Sequence, residues 1–165
     1  MQDTAKFYPI RQFLEGQLRQ IDSGNFSFTL LTEKQGKKDT ARIDKARFSQ
    51  LADTILHRAA YFTAFKAAFK ESAFRDLSTG SLIFNYTPFD KAFFIQHIDL
   101  LLDEPTQHIK RVFIRSLYNS GDTSILEQCS WKTNSSFQLS KFFELQDGRS
   151  FTENNIISWE NKKSP

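Results

Sequence analysis

Apolar residues recur along this chain at two spacings, and the alternation between them predicts its elements. From Pro9 to about Ser23, Ile10, Phe13, Leu14, Leu18 and Ile21 fall three or four apart. That is the spacing of an amphipathic helix, opened by a proline and stopped by Ser23-Gly24-Asn25. Phe26 to Glu33 then reads as a strand with Phe26, Phe28 and Leu30 on one face. Lys34 to Lys38 makes a turn, and Thr40 to Ile43 returns as a short partner strand.

Asp44 is placed to cap the longest predicted helix, from Lys45 to about Leu77. Phe48, Leu51, Ile55, Phe62, Phe65, Phe69 and Ala73 share one arc of it; Ser49, Asp53, Ala60, Ala64, Ala67 and Glu71 share the other. Whether this helix is continuous or broken stays open. Ser78-Thr79-Gly80 stops it, and Leu82 to Tyr86 reads as a buried strand. Thr87-Pro88 opens a further helix to about Leu102, with Phe89, Phe93, Phe94, Ile98 and Leu101 inward. Glu104-Pro105 restarts one to about Tyr118, with Ile109, Val112, Phe113 and Leu117 inward.

Past Gly121-Asp122 the period changes to two. Ile125, Glu127, Cys129 and Trp131 alternate onto one face, and Asp147-Gly148 between Phe137–Gln146 and Arg149–Phe151 is the strongest hairpin signal in the chain. Ile156, Ile157 and Trp159 suit a last strand or a docked tail. The predicted fold class is α+β, with about four helices packed on a small, mainly antiparallel sheet and the C-terminal third strand-rich. An all-α core carrying a β-hairpin is the nearest alternative. No repeat or linker interrupts residues 1–165, so a single globular domain is expected, with a frayed polar C-terminus from about 161.

Composition adds an aromatic emphasis: 18 Phe against 1 Met, most of them expected in the core. Formal charge is +3, unevenly spread: 13 Lys+Arg against 9 Asp+Glu in residues 1–80 gives +4, and 9 against 10 in residues 81–165 gives −1. The basic surface therefore belongs to the first half. The lone Cys129 excludes an internal disulfide and a multi-cysteine zinc site, and reads as a buried structural thiol. Met1 to Lys6 lacks the pattern of a signal peptide, and no apolar run approaches the roughly 18 residues of a membrane span, so a cytoplasmic location is expected.

Candidate chemistry is sparse. Asp53 and His57 stand four apart, as a base and its orienting carboxylate do, but also as routine neighbours on a helix surface do. His97 and His108 would need a corner at Pro105 to meet Asp103 or Glu104 around a metal, and no compact ligand motif supports one. Asp99, Asp103 and Glu104 read as a solvated acidic helix end. Ser78-Thr79-Gly80-Ser81 precedes a strand, whereas a phosphate cradle follows one, and no Gly-x-Gly fingerprint or nucleophile elbow occurs. No catalytic set, cofactor or metal is expected.

Basic residues among aromatic ones are the remaining lead: Arg58, Lys66 and Lys70 beside the Phe62–Phe65–Phe69 arc, joined by Lys37 and Lys38 of the cationic turn. Cations hold phosphates and rings stack bases, although the same pattern arises where stems run along a core-facing stripe. The expected function is a non-enzymatic binding or adaptor protein acting through a protein partner. The second reading is a nucleic-acid-binding accessory protein using that basic–aromatic face, and the third an enzyme with a dispersed site. A membrane partner is not expected, and self-association stays open.

Overall fold

The computed structural model describes residues 7–162. Two helices, α1 (Ile10–Ser23) and α2 (Lys45–Ala64), accompany nine strands: β1 (Phe26–Lys34), β2 (Lys37–Ile43), β3 (Phe69–Asp76), β4 (Ser81–Pro88), β5 (Ile95–Asp103), β6 (Ile109–Ser120), β7 (Thr123–Lys132), β8 (Ser136–Leu145) and β9 (Ser150–Asn161). All nine belong to one antiparallel sheet, ordered β2-β1-β9-β8-β7-β6-β5-β4-β3. Strands account for 54% of the structure and helices for 24%, so the fold is dominated by its sheet.

This corrects the expected α+β architecture of about four helices on a small sheet. The helix predicted to run to Leu77 ends at Ala64; a single 3-10 turn, Lys66–Ala68, leads into β3. The helices predicted over 87–102 and 105–118 are instead β5 and β6, with the strand β4 reaching Pro88. Ser78-Thr79-Gly80, read as a helix stop, is a hairpin turn. Asp76 accepts hydrogen bonds from the Ser78 amide (3.0 Å) and hydroxyl (2.6 Å), and Gly80 adopts φ +64°. The Pro105 corner is also a hairpin turn, closed by the Thr106 hydroxyl donating to Asp103 at 2.7 Å.

Other expectations hold locally. Asp44 caps α2 by accepting from the Arg47 amide at 2.8 Å. Gln35 and Gly36, at φ 50° and 80°, form the two-residue turn between β1 and β2. Gly24 ends α1 with the Phe26 ring packed against its Cα, where a Cβ would lie 2.3 Å from the ring and displace it. The last strand extends through Asn161, paired with Phe26; residues 163–165 of the expected frayed terminus lie outside the described residues.

The connection between the two edge strands β2 and β3 is α2, which covers one face of the sheet. Its buried stripe, Phe48, Ala52, Ile55, Ala59 and Phe62, alternates large and small residues, so the alanines admit a close approach while the rings plug the ends. Phe48 meets Phe28 (4.5 Å between ring centroids) and Trp159 (5.5 Å), and Trp159 meets Trp131 (5.1 Å). Phe62 meets Tyr86 (4.9 Å) and Phe69 (5.0 Å). From the sheet, Ile98, Ile114 and Cys129, then Leu100, Val112, Trp131 and Phe137, rise toward the helix in cross-strand rows. No element among the described residues lies over the other sheet face.

Phe48→Ala should lower unfolding free energy by about 3–5 kcal/mol, read by urea denaturation, because the ring fills a closed aromatic cluster. Phe142→Ala, on the open face, should cost about 0.5 kcal/mol or less.

Candidate functional site

Strand alternation sends every second residue to the open face, and the pairing register gathers those residues into rows. One row runs Phe74–Ile83–Leu101–Arg111 across β3 to β6. The next runs Asn85–Asp99–Phe113–Ser130 across β4 to β7. With Arg115, these residues line an open groove of about 470 Å³. The volume is within the range of small-molecule sites, roughly 300–1,000 Å³.

The groove has an apolar floor and two guanidinium groups. Arg115 lies over the Phe113 ring, 5.7 Å from its centroid, and its Nε is buried without a hydrogen-bond partner. Arg111 is exposed at the end of the first row. The one carboxylate in the lining, Asp99, lies 2.7 Å from His97 Nε2. A guanidinium offers five N–H donors in a planar fork that matches a carboxylate or phosphate, so one lying over an aromatic floor and outside any ion pair among the described residues is a candidate anion contact.

The opposite face carries a buried ionic node. Arg58 of α2 donates to Glu127 of β7 through Nε (2.7 Å) and Nη2 (3.2 Å), and the Tyr118 hydroxyl donates to the same carboxylate at 3.2 Å. Glu127 is 1% exposed and the Arg58 side chain 20%. The guanidinium also lies 4.7 Å from the Phe94 ring centroid and 5.6 Å from that of Tyr118. Burial opposes the Arg58 charge, yet the hydrogen bond and charge of Glu127 outweigh it and hold the group above its ordinary value. Burial first, then Glu127, pushes the Tyr118 hydroxyl up to about 12. Burial, reinforced by Glu127, also raises the Cys129 thiol far above its ordinary range, so at neutral pH it is protonated and poorly nucleophilic.

The basic residues singled out from the sequence do not form one surface. Arg58 is committed to Glu127 inside the fold. Lys66 and Lys70 are exposed at the β3 edge, whereas Lys37 and Lys38 are exposed on β2, the opposite edge strand. Asp53 and His57 are both exposed on α2 with no hydrogen bond between them. The acidic trio is dispersed: Asp99 meets His97, Asp103 meets Thr106, and Glu104 meets Arg75 at 2.7 Å. No group of three His, Cys, Asp or Glu among the described residues is placed to hold a metal ion. The adaptor role, like the nucleic-acid role, finds no support in this arrangement.

Sequence reasoning missed the groove because residues 105–118 were assigned to a helix, whose period keeps Arg111 and Arg115 on one face but turns Phe113 to the opposite one. The alternation Arg111–Phe113–Arg115 against Val112–Ile114 was the available signal.

No protein-family model matches the chain, and neither does any curated protein. Among solved structures, the S-type phycobiliprotein lyase CPES from Guillardia theta is similar over 94% of both chains, at 10% identity and a TM-score of 0.31. A likeness that distant bears on neither fold nor function. No helix among the described residues is long and apolar enough to cross a membrane.

Two outcomes follow from the ionic node. Glu127→Leu should cost about 3 kcal/mol in urea unfolding by stranding a largely buried guanidinium, and adding Arg58→Met should recover most of it. Tyr118 favours its protonated form in the native state, so its contribution to stability should be intact below pH 10 and lost as pH rises toward about 12. Absorbance titration of tyrosinate should show this late ionisation, and Tyr118→Phe should remove it.

Proposed function

We propose that this is a binding protein whose open-face groove takes a small amphipathic organic anion, an apolar body bearing a carboxylate or phosphate. The observation that carries the reading is Arg115: a guanidinium with its Nε buried and unpartnered, lying over the ring of Phe113. Arg115 makes no ion pair among the described residues, so an anionic oxygen reaching the accessible part of its guanidinium gains a charge-assisted hydrogen bond. Arg111 supplies a second positive charge, and Phe74, Ile83, Leu101 and Phe113 supply apolar surface.

Charge selects the head and shape selects the body. Two arginines face one lining carboxylate, and Asp99 is itself engaged by His97, so the local balance favours an anion. The planar fork of Arg115 distinguishes oxyanions from spherical ions. The openness of the groove to solvent suits reversible capture of a ligand whose tail runs along the strand rows.

Decanoate and decanol separate the two contributions in displacement of 1-anilinonaphthalene-8-sulfonate fluorescence. Decanoate should displace the dye at lower concentration than decanol. Arg115→Met should weaken decanoate about tenfold, the equivalent of one charge-assisted hydrogen bond, while leaving decanol unchanged. Equal potency of acid and alcohol, or an unaltered decanoate affinity in Arg115→Met, would remove the basis for the reading.

A further inference from the structure

A second surface, at the end of the molecule where α2 passes into β3, combines exposed rings with unpaired cations. Phe89, in the turn after β4, is 71% exposed, and Phe65, at the end of α2, is 47% exposed. They are held close together. The Phe89 amide donates to the Ala68 carbonyl at 3.0 Å, and the Phe65 ring lies 6.1 Å from that of Phe93, whose amide donates to the Asp90 carbonyl in the turn that carries Phe89. Lys66, Lys70 and Lys91 are exposed around them, and none of the three takes part in an ion pair among the described residues. Arg11 and Glu15 beside Lys66 neutralise one another, and the Asp90 carboxylate accepts from the Ala92 amide at 2.9 Å.

We propose that this end of the protein docks peripherally on an anionic lipid surface, with Phe89 and Phe65 entering the headgroup–acyl boundary and Lys66, Lys70 and Lys91 meeting lipid phosphates and carboxylates. Charge complementarity identifies the occupant: among the described residues three lysines outside any ion pair surround two rings, and the Asp90 carboxylate beside them is tied into its own turn. Lysine stems let ammonium groups stay at headgroup level while rings go deeper. Nucleic acid fits less well. Its bases need open ring faces along a groove, whereas Phe65 is packed against Tyr61 at 4.6 Å and Phe89 stands at a turn tip. A peripheral contact requires no membrane-spanning helix, and Lys70 shares the open sheet face with Phe74, so the docked end adjoins the groove.

Co-sedimentation of the full chain with phosphatidylcholine vesicles, with and without phosphatidylserine, tests the proposal. Binding should require phosphatidylserine and fall with salt. Phe89→Ser should weaken it about tenfold and Lys91→Glu about fivefold or more. Both positions are exposed, and unchanged thermal unfolding of each variant would confirm that folding is intact. No binding to phosphatidylserine vesicles, or equal binding by wild type and Phe89→Ser, overturns the proposal. So does Phe89-dependent self-association without vesicle binding, or Lys91-dependent capture of a single-stranded oligonucleotide in place of vesicles. Dye displacement in the groove is unaffected by either variant if the two sites are independent, so failure here leaves the groove reading standing.

Discussion

The stripe Phe48–Ala52–Ile55–Ala59–Phe62 is the contact on which the rest of the molecule depends. A nine-stranded antiparallel sheet has two faces, and this chain has one helix long enough to run across either. By linking the edge strands β2 and β3, α2 commits to one face and brings Phe48 and Phe62 to two aromatic clusters, which roughly four helical turns separate. Burial of these rings supplies most of the attachment energy, at roughly 1.5–3 kcal/mol per large side chain. The helix α1 then packs beside α2 and buries Ile10, Leu14 and Ile21.

Covering one face leaves the other open to solvent. Its residues follow the same alternation as the core, so the register that aligns Ile98 with Ile114 also aligns Asp99 with Phe113. The groove is thus a by-product of correct strand pairing, and a slip of one residue in β6 would exchange Arg115 with Ile114 between solvent and core. On the covered face the Arg58–Glu127 pair acts as a register mark between helix and sheet. An ion pair in that setting adds little net stability over well-packed apolar residues, but it penalises any packing that separates the two charges.

Much of the fold was readable locally. The helix α1, the Gln35-Gly36 and Asp147-Gly148 hairpins, the Asp44 cap and the alternation of β7 each rest on residues within a few positions of one another. Three strands, β3, β5 and β6, were read as helix. In β5, register shifts between Ile95 and His97 and between Leu101 and Leu102 break the alternation, and Phe93, Phe94, Ile98 and Leu101 fit a helical arc equally well. The β3 segment follows α2 with no stop signal, and its strand form depends on pairing Phe69–Asp76 with Ser81–Pro88. Propensity gives way there to ladder hydrogen bonds and cross-strand packing.

The sequence by itself determined what could be built: an aromatic-rich core, one buried thiol, and a basic N-terminal half. Those properties are carried by residue type and short-range spacing. The tertiary structure alone decided which charges are free. Arg58 looked like a surface cation and is bound inside to a carboxylate 69 positions away, while Arg115, in a segment read as a helix, lies over a ring on the open sheet face with its Nε unpartnered. The reason is physical: the state of a charged side chain depends on its burial and its partners, and in an antiparallel sheet those partners come from strands whose adjacency no local pattern encodes.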